Sequence, residues 1–194
     1  MISFFIILQA RSFMLRIIAG KYRNRNIYEP DLKITRPTTN KIREAVFSSL
    51  QFKVYDKSFL DLFAGSGAMS IEASSREAKR VTAIEKNREV FKILTQNIKS
   101  LNVDNINYFQ KDAIIFLENT SETYDFIYLD PPYEEYDLLN KCLEIIALKK
   151  LLNNDGEIIV ETNKVNNIKI PEKLRVYKQK RYGKVDILYI VHNE

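Results

Sequence analysis

Two short segments of the sequence combine residue types that could hold a nucleotide-like ligand and act on a polar group beside it. The first, Asp61 to Gly67, reads DLFAGSG, an apolar run closed by a Gly-x-Gly turn. Glycines at such a turn let the backbone bend sharply and let a ligand approach the main chain closely. Glu85 ends the next apolar run, 20 residues after Gly65. A carboxylate there can accept hydrogen bonds from both ribose hydroxyls of an adenosine.

Two adenosine-containing cofactors would use this layout, and the flanking residues discriminate between them. A dinucleotide fingerprint requires a third glycine, whereas this chain has Ser70 at that position. An aspartate four residues before the first glycine, here Asp61, suits the amino and carboxyl end of a methionine moiety better than a pyrophosphate. The segment therefore favours S-adenosylmethionine as the cofactor. The residues expected to contact it are Asp61, Phe63, Ala64, Gly65, Ser66, Gly67, Glu85, Lys86, Asp112 and Ala113.

The second segment, Asp130-Pro131-Pro132-Tyr133, directly follows another apolar run and is the expected catalytic segment. In an open α/β sheet it would lie at the carboxyl edge, where such sheets bind ligands. An exocyclic base amine is a poor nucleophile because its lone pair is delocalised into the ring. The Asp130 carboxylate and the Pro131 carbonyl, aimed at its hydrogens, would free that lone pair. Pro132 stiffens the backbone, and Tyr133 can stack on the base, so the segment predicts methylation of a base amine in nucleic acid.

The composition excludes most other catalytic chemistry. The chain has a single cysteine, Cys142, and a single histidine, His192, which excludes disulfide frameworks, cysteine nucleophiles paired with histidine and Cys/His-rich metal sites. We therefore expect no metal. No run reaches the roughly 18 apolar residues of a membrane span, and the apolar start lacks the features of a signal peptide, so we expect a cytoplasmic protein. Residues 1–13 are interpreted as an extra strand or as a segment upstream of a natural start at Met14.

Strands and helices alternate from Phe59 onward. The predicted strands are 59–64, 80–85, 106–110, 126–129 and 157–161, and the predicted helices are 68–75, 87–101, 113–118 and 136–152. This alternation predicts an α/β fold with a mostly parallel sheet covered on both faces. Two more strands, 174–180 and 185–192, predict a C-terminal antiparallel hairpin. The whole pattern is typical of a Rossmann-like class I methyltransferase sheet, in which Glu157 and Glu161 are expected to face solvent or the sheet edge.

The chain before this sheet is predicted to form a small basic N-terminal extension. Its expected elements are a strand at 15–18, a basic loop or hairpin at 20–34 and a helix at 39–50. We expect residues 1–50 to contact RNA and residues 51–194 to form the cofactor-binding methyltransferase domain.

Charge is unevenly distributed along the chain, whose formal net charge is +5. Residues 11–43 hold nine Lys or Arg against two acids, residues 173–184 hold six and no acid, and residues 44–172 hold 15 basic and 21 acidic side chains. Two basic segments on either side of an acidic domain are expected if both segments bind the phosphates of a nucleic acid.

Three further segments, together with the two ligand segments, give the chain a close resemblance to a known family. They are Met14–Lys21 (MLRIIAGK), Thr35–Glu44 (TRPTTNKIRE) and Lys180–Gly183 (KRYG). Over about residues 14–190 the chain resembles the bacterial small-subunit ribosomal RNA guanine-N2 methyltransferase family. Two departures are residues 1–13, which lie outside the family pattern, and Glu77, near which family members often carry a glycine.

The resemblance implies methylation of the N2 amine of one guanine in small-subunit ribosomal RNA, read in an assembled or partly assembled subunit. By position it implies that Arg36, Thr38 and Arg43 line the entrance for cofactor and base. The residues that we expect to contact RNA are Lys21, Arg23, Arg25, Arg43, Lys180 and Arg181. We expect the protein to act as a monomer.

Three other interpretations are open at this point. An adenine-N6 amino-methyltransferase acting on DNA or RNA would share the Asp-Pro-Pro-Tyr segment, although DNA enzymes usually carry a target-recognition region for which this chain has no room. A non-catalytic RNA-binding assembly factor could retain the fold, although the intact ligand residues argue against it. An NAD-linked oxidoreductase is disfavoured by Ser70 and by the lack of a histidine to shuttle protons.

Overall fold

A seven-stranded sheet forms the centre of the structure, a computed structural model that describes residues 14–30, 40–132 and 134–193. In chain order the strands are β1 (Met14–Arg16), β2 (Asn26–Tyr28), β3 (Ser58–Asp61), β4 (Arg80–Glu85), β5 (Ile106–Gln110), β6 (Tyr124–Leu129), β7 (Leu152–Thr162), β8 (Leu174–Tyr182) and β9 (Val185–His192). The order across the large sheet is β5-β4-β3-β6-β7-β9-β8. Strands β3 to β7 are parallel, and β9 is antiparallel to β7 and β8. The α/β fold and its C-terminal antiparallel hairpin are confirmed.

Among the described residues, five α-helices cover the two faces of this sheet: α1 (Asn40–Ser49), α2 (Ala68–Ser75), α3 (Arg88–Ser100), α4 (Ala113–Asn119) and α5 (Tyr136–Lys149). Helices α1, α2 and α3 pack on one face, called the α2 face below, and α4 and α5 pack on the other. Asn87 caps α3 by accepting the backbone N–H groups of Glu89 and Val90, as its position predicts. In the described part of the chain, none of the helices combines the length and apolar character needed to cross a bilayer.

The end of α5 differs from the sequence-based prediction, which extended this helix to Leu152. Lys150 adopts a left-handed conformation (φ 57°) and ends the helix, and the Leu151 N–H returns to the Ile146 carbonyl at 3.0 Å. Leu152 is therefore the first residue of β7, opposite Tyr124. The register then shifts, so that Phe126 pairs with Glu157. Asn154, Asp155 and Gly156 therefore lie at an irregularity inside a longer strand.

The basic N-terminal extension contains a β1–β2 hairpin that hydrogen-bonds to a buried carboxylate of α2. Glu72 accepts the backbone N–H groups of Ile18 at 2.9 Å and Ala19 at 3.1 Å. It also pairs with the guanidinium of Arg76 at 3.0 Å and lies 3.8 Å from that of Arg43. The buried cluster on the α2 face includes seven residues of the extension: Ile17, Tyr22, Ile27, Ile42, Val46, Phe47 and Leu50. The extension therefore shares the core of the sheet.

Replacing this carboxylate is expected to destabilise the protein strongly. Glu72→Ala would leave the fully buried Arg43 without its countercharge and two hairpin N–H groups without an acceptor. Removing one partner of a buried ion pair typically costs about 3–5 kcal/mol. Urea unfolding should show this loss, whereas Glu89→Ala, which breaks an exposed pair with Lys92, should leave the midpoint nearly unchanged. Equal midpoints for the two variants would contradict the role of Glu72.

Candidate active site

The turn between β3 and α2 requires glycine at two positions, for a different structural reason at each. Gly65 and Gly67 have φ values of 55° and 84°, in the left-handed region that favours glycine. A Cβ atom on Gly67 would lie 2.4 Å from Cδ1 of Leu94, so this glycine lets α2 and α3 pack closely. A Cβ atom on Gly65 would meet nothing within 4 Å. The backbone at Gly65 therefore faces open space in which a ligand can contact the main chain.

Glu85 connects the end of β4 to this turn. Its carboxylate accepts the N–H of Gly65 at 3.0 Å and the N–H of Asn87 at 2.7 Å. Burial raises the pKa of Glu85, and these backbone hydrogen bonds oppose that rise. Each carboxylate oxygen has a second lone pair, so the same group can also accept hydrogen bonds from ribose hydroxyls. The geometry suits the role expected from the spacing of Gly65 and Glu85.

Asp61 lies beneath the glycine turn and carries a buried acceptor. Its side chain is 1% exposed, and its Oδ2 accepts the Ser70 hydroxyl at 2.6 Å. Its Oδ1 is buried and has no hydrogen-bond partner within the described ranges. Burial raises the pKa of Asp61 to about 7 despite the hydrogen bond from Ser70. A buried acceptor without a partner fits the ammonium group of a methionine moiety, which would satisfy it and favour its charged form.

The remaining expected cofactor residues surround the same edge of the sheet. Ala64 and Ser66 are buried, Phe63 is half-buried, and the Ser66 carbonyl accepts the Asn97 side-chain amide at 2.8 Å. Asp112 is the N-cap of α4, with its Oδ1 accepting the N–H groups of the helix start. Its Oδ2 lies 2.9 Å from the exposed Lys86 ammonium, which lowers the pKa of Asp112. Ala113 is the first residue of α4 and is buried.

The residues that follow β6 and β7 bring two carboxylates together. Leu129 pairs with Val160 in the parallel register, so Asp130 and Glu161 are the next positions on neighbouring strands, which lie about 4.8 Å apart. Asp130, Pro131, Pro132 and Glu161 line one cleft. The buried Tyr128 hydroxyl donates to Glu161 at 2.9 Å. Glu161 was not among the residues expected to bind a ligand. Its place at the end of a predicted strand was the one feature of the sequence that could have indicated such a role.

Glu157 does not face solvent or the sheet edge as expected. It is 6% exposed, forms an ion pair with Lys53 and accepts the Tyr177 hydroxyl at 2.9 Å. The ion pair and the hydrogen bond offset the free-energy cost of burying this carboxylate.

Arg43 is the one expected RNA contact that the structure contradicts. Its side chain is fully buried, and its guanidinium donates to the Arg16 carbonyl at 2.7 Å and to the Asn40 side chain at 2.9 Å. Burial lowers the pKa of Arg43, and Glu72 opposes this effect. Arg43 therefore joins α1 to the N-terminal hairpin and cannot reach an RNA phosphate. The expected contacts of Arg36, Thr38 and Tyr133 fall outside the described residues.

The other expected RNA residues form two separate groups. Lys21, Arg23 and Arg25 are exposed at the tip of the β1–β2 hairpin, where the Lys21 N–H bonds the Ser75 carbonyl at 2.7 Å. Ser75 is the last residue of α2, an eight-residue helix, so this tip lies about 12 Å from the glycine turn. Lys180 and Arg181 are also exposed and lie at the carboxyl edge of the sheet, because the partner of Lys180 on β9 also pairs with Glu161.

The fold and the arrangement of this edge define a class I S-adenosylmethionine-dependent methyltransferase. The family model described as Conserved hypothetical protein 95 matches residues 15–191, and the chain belongs to that family. It is 35% identical over 176 residues to Ribosomal RNA small subunit methyltransferase D of Buchnera aphidicola subsp. Acyrthosiphon pisum (strain APS), covering 90% of this chain and 92% of the relative. The protein of that name from Escherichia coli (strain K12) is 33% identical over 175 residues, 90% and 88% of the two chains.

A solved structure extends this similarity to three dimensions. The putative methyltransferase yhhF from Escherichia coli matches with a TM-score of 0.84 at 30% sequence identity. The match covers 93% of this chain and 98% of that one, so the N-terminal extension and the sheet are both included.

Proposed function

We propose that this protein methylates the N2 amine of a guanine in small-subunit ribosomal RNA. The observation that carries the proposal is the placement of Asp130 and Glu161 side by side in a cleft at the edge that also holds the glycine turn. Two relatives are named as small-subunit ribosomal RNA methyltransferases, which supports the choice of RNA.

The two carboxylates match the hydrogen-bond donors of guanine. The guanine N2 amine has two hydrogens and the adjacent N1 has one, whereas adenine has an acceptor at N1 beside its amine. Asp130 and the Pro131 carbonyl accept the two N2 hydrogens, and Glu161, oriented by the Tyr128 hydroxyl, accepts the N1 hydrogen. An adenine in the same place would direct its N1 lone pair at the Glu161 carboxylate. Reading the edge of a base displaced from its stack is how such enzymes select their target, and this pair favours guanine over adenine.

The chemistry required of the protein is mostly positioning. When bound, S-adenosylmethionine supplies a sulfonium-activated methyl group, and the carbon–sulfur bond breaks as the carbon–nitrogen bond forms. Asp130 holds the amine so that its lone pair points at the methyl carbon, and the same carboxylate then receives the proton that the methylated nitrogen loses. Orientation of this kind can contribute about 7–11 kcal/mol in the best intramolecular reactions.

Transfer of a radioactive methyl group tests the proposal directly. Small ribosomal subunits from a strain that lacks the gene, and naked ribosomal RNA from the same strain, are incubated with the protein and tritiated S-adenosylmethionine. Digestion to nucleosides should give N2-methylguanosine as the labelled product, in one substrate or both. Label in adenosine, or no label in either substrate, would contradict the proposal.

Glu161→Gln is expected to weaken catalysis on guanine without affecting the cofactor. Loss of a charge-assisted hydrogen bond of about 1.5–3 kcal/mol predicts a fall in kcat/KM for subunits of about tenfold to a hundredfold. Affinity for S-adenosylhomocysteine, measured by calorimetry, should stay unchanged. Tyr128→Phe should produce a smaller loss in the same direction, because it removes the hydroxyl that orients Glu161. Glu144→Gln, at an exposed position on α5, is the matched control, and an equal effect there would exclude the assignment.

A further inference from the structure

We propose that a strip of aromatic and basic side chains beside β8 binds unpaired nucleotides that flank the target base. The proposal rests on the proposed function for the identity of the RNA. The strip, called the β8 strip below, consists of Phe52, Lys53, Tyr55, Tyr177, Lys178 and Lys180.

The register of β8 directs three of these side chains to the α2 face. Lys178 pairs with Tyr189 and Lys180 pairs with Ile187, and both partners belong to the buried cluster on that face. The Lys178 ammonium lies 4.6 Å from the centre of the Tyr189 ring. An irregularity between Val176 and Lys178 brings Tyr177 to the same side, where its hydroxyl donates to Glu157. Within the described ranges, β8 is the last strand of the sheet.

The turn between α1 and β3 presents an aromatic ring at the other end of the strip. Phe52 is 93% exposed, although its neighbours Leu50 and Val54 are buried. The N–H groups of Lys53 and Val54 both donate to the Leu50 carbonyl, at 2.9 and 3.0 Å, so the turn is folded and directs Phe52 outward. Tyr55, three residues further along the same turn, is 66% exposed. Large apolar rings displayed by an ordered turn indicate a contact surface.

Glu157 joins the two halves of the strip. It pairs with Lys53 of the turn and accepts the Tyr177 hydroxyl of β8 at 2.9 Å. The carboxylate itself is 6% exposed, so the turn and the strand are connected through a charge that solvent scarcely reaches. The turn that carries Phe52 is therefore joined to the strand that carries Tyr177.

The strip carries the charge that RNA requires. Burial, together with repulsion from Lys180 and Lys53, lowers the pKa of Lys178, and the Glu157 carboxylate opposes this effect, so Lys178 lies close to two other ammonium groups. Such a concentration of positive charge attracts phosphates. Exposed rings between lysines add stacking surfaces for bases, and this combination is typical of proteins that bind single-stranded nucleic acid.

The position of the strip relative to the cleft identifies which nucleotides it receives. Lys180 and Glu161 share one partner, Ile187, so they lie two strand spacings apart, about 10 Å. An RNA segment that leaves the cleft at Glu161 can reach Lys180 and continue along Lys178 toward Phe52 without crossing the sheet. The strip therefore binds the nucleotides that flank the modified guanine.

Substitutions of Phe52 and Lys178 test this surface. Stacking on an aromatic ring is lost in Phe52→Ala, which should raise the Kd for naked small-subunit ribosomal RNA and the KM for subunits by at least about fivefold, with kcat unchanged. Phe52→Trp should restore both values. Lys178→Gln should reduce the slope of log Kd against log salt by about one. Leu148→Ala, which removes another exposed apolar side chain, from α5, is the matched control and should behave as wild type.

The outcomes separate this inference from the proposed function. Wild-type Kd and salt slope in both strip variants would overturn the β8 strip while leaving methylation of guanine intact. Weakened binding of Phe52→Ala to assembled subunits, with normal binding to naked RNA, would also overturn it, because the partner would then be a ribosomal protein. If Phe52→Ala weakened RNA binding but the wild-type protein transferred no methyl group, the proposed function would be contradicted. The inference about the β8 strip would then still hold.

Discussion

Asp130→Ala is expected to lower kcat for methyl transfer by at least about a hundredfold while leaving the affinity for S-adenosylmethionine nearly unchanged. Asp130 lies in the cleft with Pro131 and Glu161, one strand away from the glycine turn that follows β3. In the proposed function, its carboxylate acts on the nucleophile, whose lone pair becomes available only when both amine hydrogens are held. The Pro131 carbonyl alone cannot hold both.

Single-turnover transfer to subunits measures the chemical step, and calorimetry measures cofactor binding separately. Asp130→Asn is the informative companion, because its amide oxygen still accepts one hydrogen bond and should retain part of the activity. Asp137→Ala, exposed in the first turn of α5, controls for loss of negative charge near the cleft. Equal losses of transfer and of cofactor affinity in Asp130→Ala would contradict the role given to this carboxylate.

Asp61→Asn is expected to raise stability and weaken cofactor binding at the same time. Burial raises the pKa of Asp61 from its ordinary value of 3.8 to about 7, so the folded protein binds a proton at this carboxylate more tightly than the unfolded chain does. The stabilisation is fully present below about pH 4 and is lost as the pH rises through about 7, in total on the order of 4 kcal/mol. Calorimetric unfolding of Asp61→Asn should therefore give a higher midpoint than wild type at pH 8 and a flatter dependence on pH.

The affinity for S-adenosylmethionine should rise with pH, whereas the stability that protonated Asp61 contributes falls with pH. If Asp61 binds the ammonium of the methionine moiety, as we propose, that contact favours its ionised form, and the Kd for S-adenosylmethionine should fall by up to about tenfold per pH unit as the pH rises toward 7. Asp61→Asn should bind more weakly at pH 7 and lose this dependence. Ser70→Ala removes the hydroxyl that lowers the pKa of Asp61, so the change in Kd with pH should shift to higher pH in this variant. A wild-type Kd that is constant from pH 5.5 to 7 would exclude contact between Asp61 and the ammonium.

The sequence by itself determined the features that depend on neighbouring residues. The left-handed turn at Gly65 and Gly67 follows from the conformational freedom of glycine, and the start of α3 follows from the capping side chain of Asn87. Alternating strands and helices predicted that the sheet is mostly parallel, because parallel neighbours require a crossover and helices supply it. The cofactor turn and the Asp130 segment could therefore be predicted together.

Only the tertiary structure decided which distant residues meet. Arg43 has the sequence signature of a surface cation, and it is buried because Glu72 and the N-terminal hairpin enclose it. Glu161 has the signature of a strand end, and it lies beside Asp130 because of the register between β6 and β7, which joins positions 31 residues apart. Burial and register are set by packing across the whole sheet, and no short stretch of sequence contains that information.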